Sequence, residues 1–330
     1  MNILVSNRNL GMTGGSETFT YTLIGELVKQ GHSVEYFCFK RGLVASKIEK
    51  DFGVGFMSKT KYDIILANHY KTVEYLHHFG PIIQTCHGIF PHSERPSLHA
   101  DGYISISQEV QELLLRSGIL SPIVHNGIDC DRFRPTKPLR STSIRVLSLC
   151  QSEEGHGQVR EACKLVGAEF GKLDKKVDNI WDVPNAINEY DLVVGLGRSA
   201  YEAMACGRPV IIYDKRPYAS SMGDGYFLDV MPVSLRNNCS GRALHKDFSV
   251  EELANELRKY KAEDGAIARR YAELNFNIEC ATKAYLEYAK SLPSINFMQT
   301  IASRERTLVP NFIVRFFQNR IRKGVIAAYS

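Results

Sequence analysis

From its first residue to about residue 215 the chain alternates short apolar runs, rich in Val, Ile and aromatic residues, with longer segments of helical period. Few folds accept that rhythm. Strands separated by helices build parallel sheets, because each helix returns the chain to the edge from which the next strand must start. The runs at 2–6, 33–39, 63–67, 81–85, 102–106 and 122–125 read as strands. Among the helices between them the clearest is 16–30, where Phe19, Leu23, Leu27 and Val28 keep one face apolar before Gly31 ends it.

A turn-rich stretch, Asn126-Gly-Ile-Asp129-Cys-Asp-Arg-Phe133-Arg-Pro135, interrupts the rhythm, and the polar segment 136–143 follows it as a linker. The alternation then restarts: strand 144–149, helix 157–167, short strands near 168–170 and 179–182, strand 191–195, helix 199–206 and strand 209–213. Three helical segments, 249–260, 264–275 and 278–291, close this part, and a further helical candidate falls near 311–323. The pattern predicts an α/β protein with two Rossmann-like domains, 1–135 and 144–290, joined by 136–143 and followed by a tail, 291–330.

Charge separates the tail from the body. Residues 291–330 carry six Lys and Arg against the single Glu305, so the formal +5 of the 330-residue chain lies there and the body balances 35 basic against 35 acidic residues. That placement argues against a nucleic-acid-binding body. Val309, Ile313, Phe316, Phe317, Ile321 and Val325 share one helical face, interrupted by Arg320. Two readings stand: a helix docked on the body, or an interfacial helix meeting an anionic membrane surface through 304–323. Eight scattered cysteines without a Cys-x-x-Cys pair suit reduced thiols in the cytoplasm, and no apolar run approaches the roughly 18 residues of a membrane span.

Ligands of open α/β sheets sit beyond the carboxyl ends of the strands, at helix N-termini. Two loops suit that role. The first, Gly11-Met-Thr-Gly14-Gly15-Ser-Glu17, joins the first strand to the first helix; it is either a tight turn or an anion cradle, and it departs from Gly-x-Gly-x-x-Gly. The second runs Gly195-Leu-Gly197-Arg198-Ser199-Ala-Tyr-Glu202. Here Ser199 is placed to cap the helix, Arg198 to add a cation beside a diphosphate, and Glu202 either to accept hydrogen bonds from a ribose diol or to bond back to Ser199 in a capping box.

Three stretches together resemble the signatures of glycosyltransferase family 4, the group 1 transferases: Gly14-Gly15-Ser-Glu17 ahead of a helix ending Gly31-His-Ser-Val, then Asn126-Gly127-Ile-Asp129-x-x-x-Phe133-x-Pro135, then Glu202-Ala-Met-Ala-Cys-Gly-x-Pro-Val-Ile. They occur in the family's order over residues 1 to about 290. The resemblance implies a GT-B fold, a nucleotide-diphosphate sugar held mainly by the second domain, a glycan or lipid-linked acceptor held by the first, and transfer with retention and without metal or cofactor. It favours ribose binding by Glu202. A histidine after an N-domain strand contacts the transferred sugar in that family, and His87 in Thr-Cys86-His87-Gly88 matches it; His92, Glu17 and Asn126 are secondary or acceptor-side candidates, and Glu94 with Arg95 reads equally well as a local ion pair.

Two departures stand out. The family's Glu-x7-Glu pair has Val194 in its first position, and the basic residues expected after strand 144–149 are replaced by Gln151-Ser152-Glu153-Glu154-Gly-His156. Arg198, with His156, would then supply the diphosphate's countercharge. A sugar-nucleotide binder without catalysis, a GT-B epimerase or hydrolase, and an NADP-dependent oxidoreductase using Lys40-Arg41 are the alternatives.

Overall fold

The computed structural model describes residues 1–89, 94–173, 181–216 and 222–293. In the first half the elements run β1 (Asn2–Ser6), α1 (Gly15–Lys29), β2 (Ser33–Phe37), α2 (Leu43–Phe52), β3 (Ile64–Asn68), α3 (Tyr70–Leu76), β4 (Ile82–Cys86), β5 (Gly102–Ser105) and α4 (Gln108–Arg116). The five strands form one parallel sheet in the order β2-β1-β3-β4-β5. Its central strands are buried at every inward and outward position because helices cover both faces: β3 and β4 are buried throughout, mostly apolar but with polar residues such as Asn68 and Thr85 towards their ends.

The second half contains β6 (Arg145–Ser148), α5 (Glu153–Val166), β7 (Glu169–Lys172), α6 (Val183–Asn188), β8 (Leu192–Gly195), α7 (Arg198–Ala205), β9 (Val210–Asp214), β10 (Met222–Tyr226), α8 (Phe227–Arg236), α9 (Val250–Arg258), α10 (Asp264–Phe276) and α11 (Ile278–Ser291). Its sheet has the order β10-β9-β8-β6-β7, parallel except for β10. Each half thus has its own sheet with the carboxyl ends of the parallel strands open to ligand.

Several sequence expectations need correction. Residues 122–125 contribute a single bridge, Ser105 to Ile123, rather than a strand: Pro122 has no amide hydrogen to donate, and the chain turns at Asn126-Gly127. Residues 181–182 are not strand, and 179–180 lie outside the described residues, as do His92 and the tail helix 311–323. The helix expected at 157 starts at Glu153, because Ser152 accepts the Gly155 amide at 3.0 Å as its cap. Met222-Gly-Asp-Gly-Tyr226 lacks the residues that favour strands, yet it pairs with β9; Phe248 lies where a side chain on Gly223 would point.

The last helix also changes sides. The sequence pattern groups 278–290 with the second domain, whereas α11 packs on the first: Tyr285 joins the core formed by Ile3, Phe19 and Leu23, and its hydroxyl lies 2.9 Å from Thr85 Oγ1. The chain therefore crosses between the halves twice, and the crossings pair. Ile128 N donates to Phe276 O (2.6 Å) and Ile278 N to Ile128 O (3.0 Å). A Cβ on Gly127 would stand 2.8 Å from Ile278 Cα, so the Asn-Gly-Ile-Asp motif needs its glycine for this contact. Asp129 Oδ1 then accepts the amides of Asp131 and Arg132, turning the linker towards buried Phe133.

The linker is pinned further on by Arg208, which is 1% exposed and donates only to carbonyl oxygens: Tyr190, Cys206, Asn188 and, in the linker, Lys137. Replacing it with Met would leave four carbonyl acceptors, two of them in fully buried bonds, without this donor. Urea unfolding should show Arg208→Met less stable by about 3–5 kcal/mol; a loss under ~1 kcal/mol would mean that water replaces the guanidinium freely.

Candidate functional site

The carboxyl ends of the two sheets face one cleft of about 780 Å³. Its walls include Gly14, Gly15, His87, Asn126, Gly197, Arg198, Ser199 and Glu202, so the structure brings most of the expected residues together. Gly195 lies in β8, behind the wall. Glu17 is not among the lining residues: its carboxylate folds back over Gly14 at the start of α1, and burial raises its pKa. By contrast, nothing among the described residues lies within 4 Å of the position a Gly15 side chain would take, so a ligand can approach that backbone closely.

At α7 the geometry differs from expectation. The N-cap is Gly197, at φ 56°, and Ser199 lies inside the helix, so no Ser199 capping box forms. Gly197 N donates to Cys239 O and Ser199 N to Leu196 O, which engages two of the amides expected to face a diphosphate. Glu202, 3% exposed, accepts Arg198 Nε at 3.0 Å. The remaining guanidinium nitrogens of Arg198 reach Gly127 O in the linker (3.0 Å) and Thr22 Oγ1 in α1 (3.1 Å). Burial pushes the Arg198 pKa down, against the pull of Glu202. Arg198 therefore holds Glu202 in place and joins both halves at the cleft floor.

Other cations come from places the sequence pattern did not mark. Arg216 follows β9 and is oriented by Asp214, whose carboxylate also accepts the Gln151 amide and the Ser152 hydroxyl. Arg242 pairs with Glu109 of α4 across the two halves, and Arg132 lies 5.1 Å from the Trp181 ring while donating to its carbonyl. All three line the cleft. Strand-end position was the one sequence signal for Arg216; Arg132 sits inside the Asn126–Pro135 motif at a position the motif leaves open, and Arg242 comes from a loop with no signal.

Glu153 and Glu154 turn outward to Lys172 and Lys215, and the His156 ring is buried against Ser148 rather than lining the cleft. Arg41 pairs with Glu49, outside the cleft walls, where it cannot read a cofactor phosphate held there. Val194 is fully buried in β8. Among the described residues no group of three or more His, Cys, Asp or Glu side chains is placed to hold a metal, and no helix is long and apolar enough to cross a membrane.

His87 follows β4 directly. Its ring meets Phe19 edge-on at 5.3 Å, its Nε2 lies 2.6 Å from Asn68 Oδ1, and its backbone amide donates to Glu94 Oε2 at 2.7 Å. Glu94 is thus no partner of Arg95: its other oxygen faces His69 Nε2 at 3.4 Å. Burial lowers the His87 pKa to about 4, so the imidazole is neutral at physiological pH.

No protein-family model and no curated protein sequence matches this chain. Solved structures do. It is similar to HepE from Anabaena in complex with UDP and glucose (17% identity, 88% of this chain and 100% of that one, TM-score 0.61). It is also similar to a glycosyltransferase from Rickettsia africae ESF-5 (17% identity, 88% and 98%, TM-score 0.60) and to an α-glucosyltransferase in complex with UDP and a DNA 13-mer containing an HMU base (12% identity, 88% and 100%, TM-score 0.55). The fold is GT-B: two Rossmann-like domains facing across a cleft.

A neutral buried histidine has a pH signature. Below its ordinary value of 6.5 the unfolded chain binds a proton that folded His87 refuses until about pH 4, so stability falls as pH drops through that window. His87→Gln should lose this component, flattening the pH 7 to 5 stability change by up to about 2 kcal/mol in urea titrations. Parallel profiles for the two proteins would show that His87 titrates normally.

Proposed function

We propose that this chain is a glycosyltransferase that moves a sugar from a nucleotide-diphosphate donor to a hydroxyl acceptor. The observation that carries the reading is the cleft itself: an open helix start at Gly14-Gly15, four arginines and a buried ribose-type carboxylate converge where both sheets end. The GT-B structures it is similar to include two solved in complex with UDP.

The chemistry divides among the residues as follows. As the bond from the anomeric carbon to the diphosphate breaks, negative charge grows on the leaving oxygen, and cations already held in place stabilise it without having to reorganise. Arg216 and Arg242 take that task, with the first amides of α1 opposite them. Glu202 binds the ribose diol, aimed by Arg198; a carboxylate has about four acceptor positions, so the bond to Arg198 is compatible with others. His87 and Asn126 contact the transferred sugar. With arginines in the cationic role, we read the enzyme as metal-independent, and the family resemblance as retaining.

Glu202→Gln and Arg216→Ala should both weaken donor turnover, differently. The first loses ribose binding and half of a buried ion pair; the second loses charge stabilisation in the transition state and should lower kcat/KM by about 10²- to 10³-fold while leaving the fold intact. Nucleotide release from a panel of nucleotide sugars measures both, and full activity in both variants would remove the assignment.

The acceptor we propose is a glycan or lipid-linked glycan in the synthesis of a surface polysaccharide or other glycoconjugate, with the cytoplasmic enzyme peripheral to the membrane through its basic tail, 304–323. Support for the membrane part is the clustered charge alone. The full chain should pellet with anionic liposomes, and less so when Arg315, Arg320 and Arg322 are changed to Glu; equal pelleting would refute it.

A further inference from the structure

One side chain decides how His87 meets its ligand. The amide of Asn68, at the end of β3, is fixed in orientation: its Nδ2 lies 3.0 Å from Ser6 O, a backbone acceptor, and 3.0 Å from Thr20 Oγ1. The nitrogen must face that carbonyl, so Oδ1 faces His87, 2.6 Å from Nε2. An amide oxygen only accepts. In the neutral ring the proton therefore sits on Nε2, and Nδ1 keeps its lone pair. Among the described residues Nδ1 and Asn126 Oδ1 are both buried without a hydrogen-bond donor, and the Asn126 side chain is a further polar neighbour of the ring; both residues line the cleft.

We infer that Asn68 is a positioning residue that locks the His87 tautomer, so that the His87–Asn126 pair presents a hydrogen-bond acceptor to a hydroxyl-bearing ligand. Nδ1 lies too deep to meet a ligand itself; with the Asn126 nitrogen turned to donate to it, the Asn126 oxygen is the acceptor left for the cleft. The site thereby selects a sugar with a free hydroxyl at this point and disfavours one with a carboxylate, which brings a further acceptor and negative charge. A site built around a substrate hydroxyl rejects the analogue lacking it because its own polar atoms are left unpaired.

The backbone is arranged to the same end. His69, next in sequence, has φ 71°, a left-handed value that costs a non-glycine residue roughly 1–3 kcal/mol. That turn sends the Asn68 side chain to the His87 ring and the His69 ring to Glu94, which holds the His87 amide. Residues 68 and 69 thus hold His87 at its ring and, through Glu94, at its backbone amide.

The inference rests on the glycosyl-transfer reading for its ligand but is tested without one. Long-range 1H–15N spectra of the ligand-free protein, with His87 assigned by comparison with His87→Gln, should show Nε2 protonated and Nδ1 bare from pH 8 to 5. Asn68→Asp keeps the acceptor and adds charge to surroundings that already include Glu94, His69 and Arg198, so the His87 midpoint should rise from about 4 by about 1 to 3 pH units. Asn68→Ala should let the two tautomers exchange. A proton on Nδ1 in the wild type, or an unchanged 15N pattern in folded Asn68→Ala, overturns the inference. Should the spectra come out as expected while no nucleotide sugar is turned over, the transfer reading falls and the tautomer assignment stands.

Discussion

The cleft depends on one guanidinium. Arg198 touches the second domain through Glu202, the first through Thr22 and the crossover between them through Gly127. Each contact alone is a modest hydrogen bond, and a buried ion pair adds little net stability once both charges have left water. What the arrangement contributes is geometry. Removing either charge would strand the other in a buried site, so the arrangement with Arg198 and Glu202 together is strongly preferred, and with it the placement of α1 relative to α7 across the cleft.

The other cleft cations follow the same design. Arg216 is backed by Asp214 and Arg242 by Glu109, as Arg198 is by Glu202. A carboxylate behind a guanidinium orients the planar fork and lowers the electrostatic cost of gathering several positive charges without a ligand. Asp214 does more, since it also fixes the β6–α5 turn through Gln151 and Ser152. That turn lost the basic residues its family resemblance would lead one to expect, and the cation came instead from the end of the neighbouring strand.

Such replacement explains what could be read in the residues and what could not. The Asn126–Pro135 motif, the Gly14-Gly15 loop and the Gly197–Glu202 loop are contiguous in sequence, so the α/β pattern and their places in the cleft wall were legible. Failures came where tertiary contact overrides local preference. Strand β10 forms from glycines because Phe248 and β9 hold it, and α11 joins the first domain because Tyr285 finds Thr85, some 200 residues away in sequence. Glu94 read as half of a surface pair until β3 placed His69 beside it, and Asn68 carried no signal because its role is an orientation.

Net charge illustrates the limit in another way. The body is neutral by count, and its cleft is lined by four arginines; the two facts agree because three of the four are paired with carboxylates, Arg198 with Glu202, Arg216 with Asp214 and Arg242 with Glu109. On the proposed reading, a diphosphate in the cleft would meet guanidiniums whose orientation is already fixed by their carboxylates. Affinity for a dianion would then not require an excess of basic residues. It would require that they be held in place, an arrangement that composition does not record and that the pairing of Arg216, Arg198 and Arg242 with Asp214, Glu202 and Glu109 makes visible.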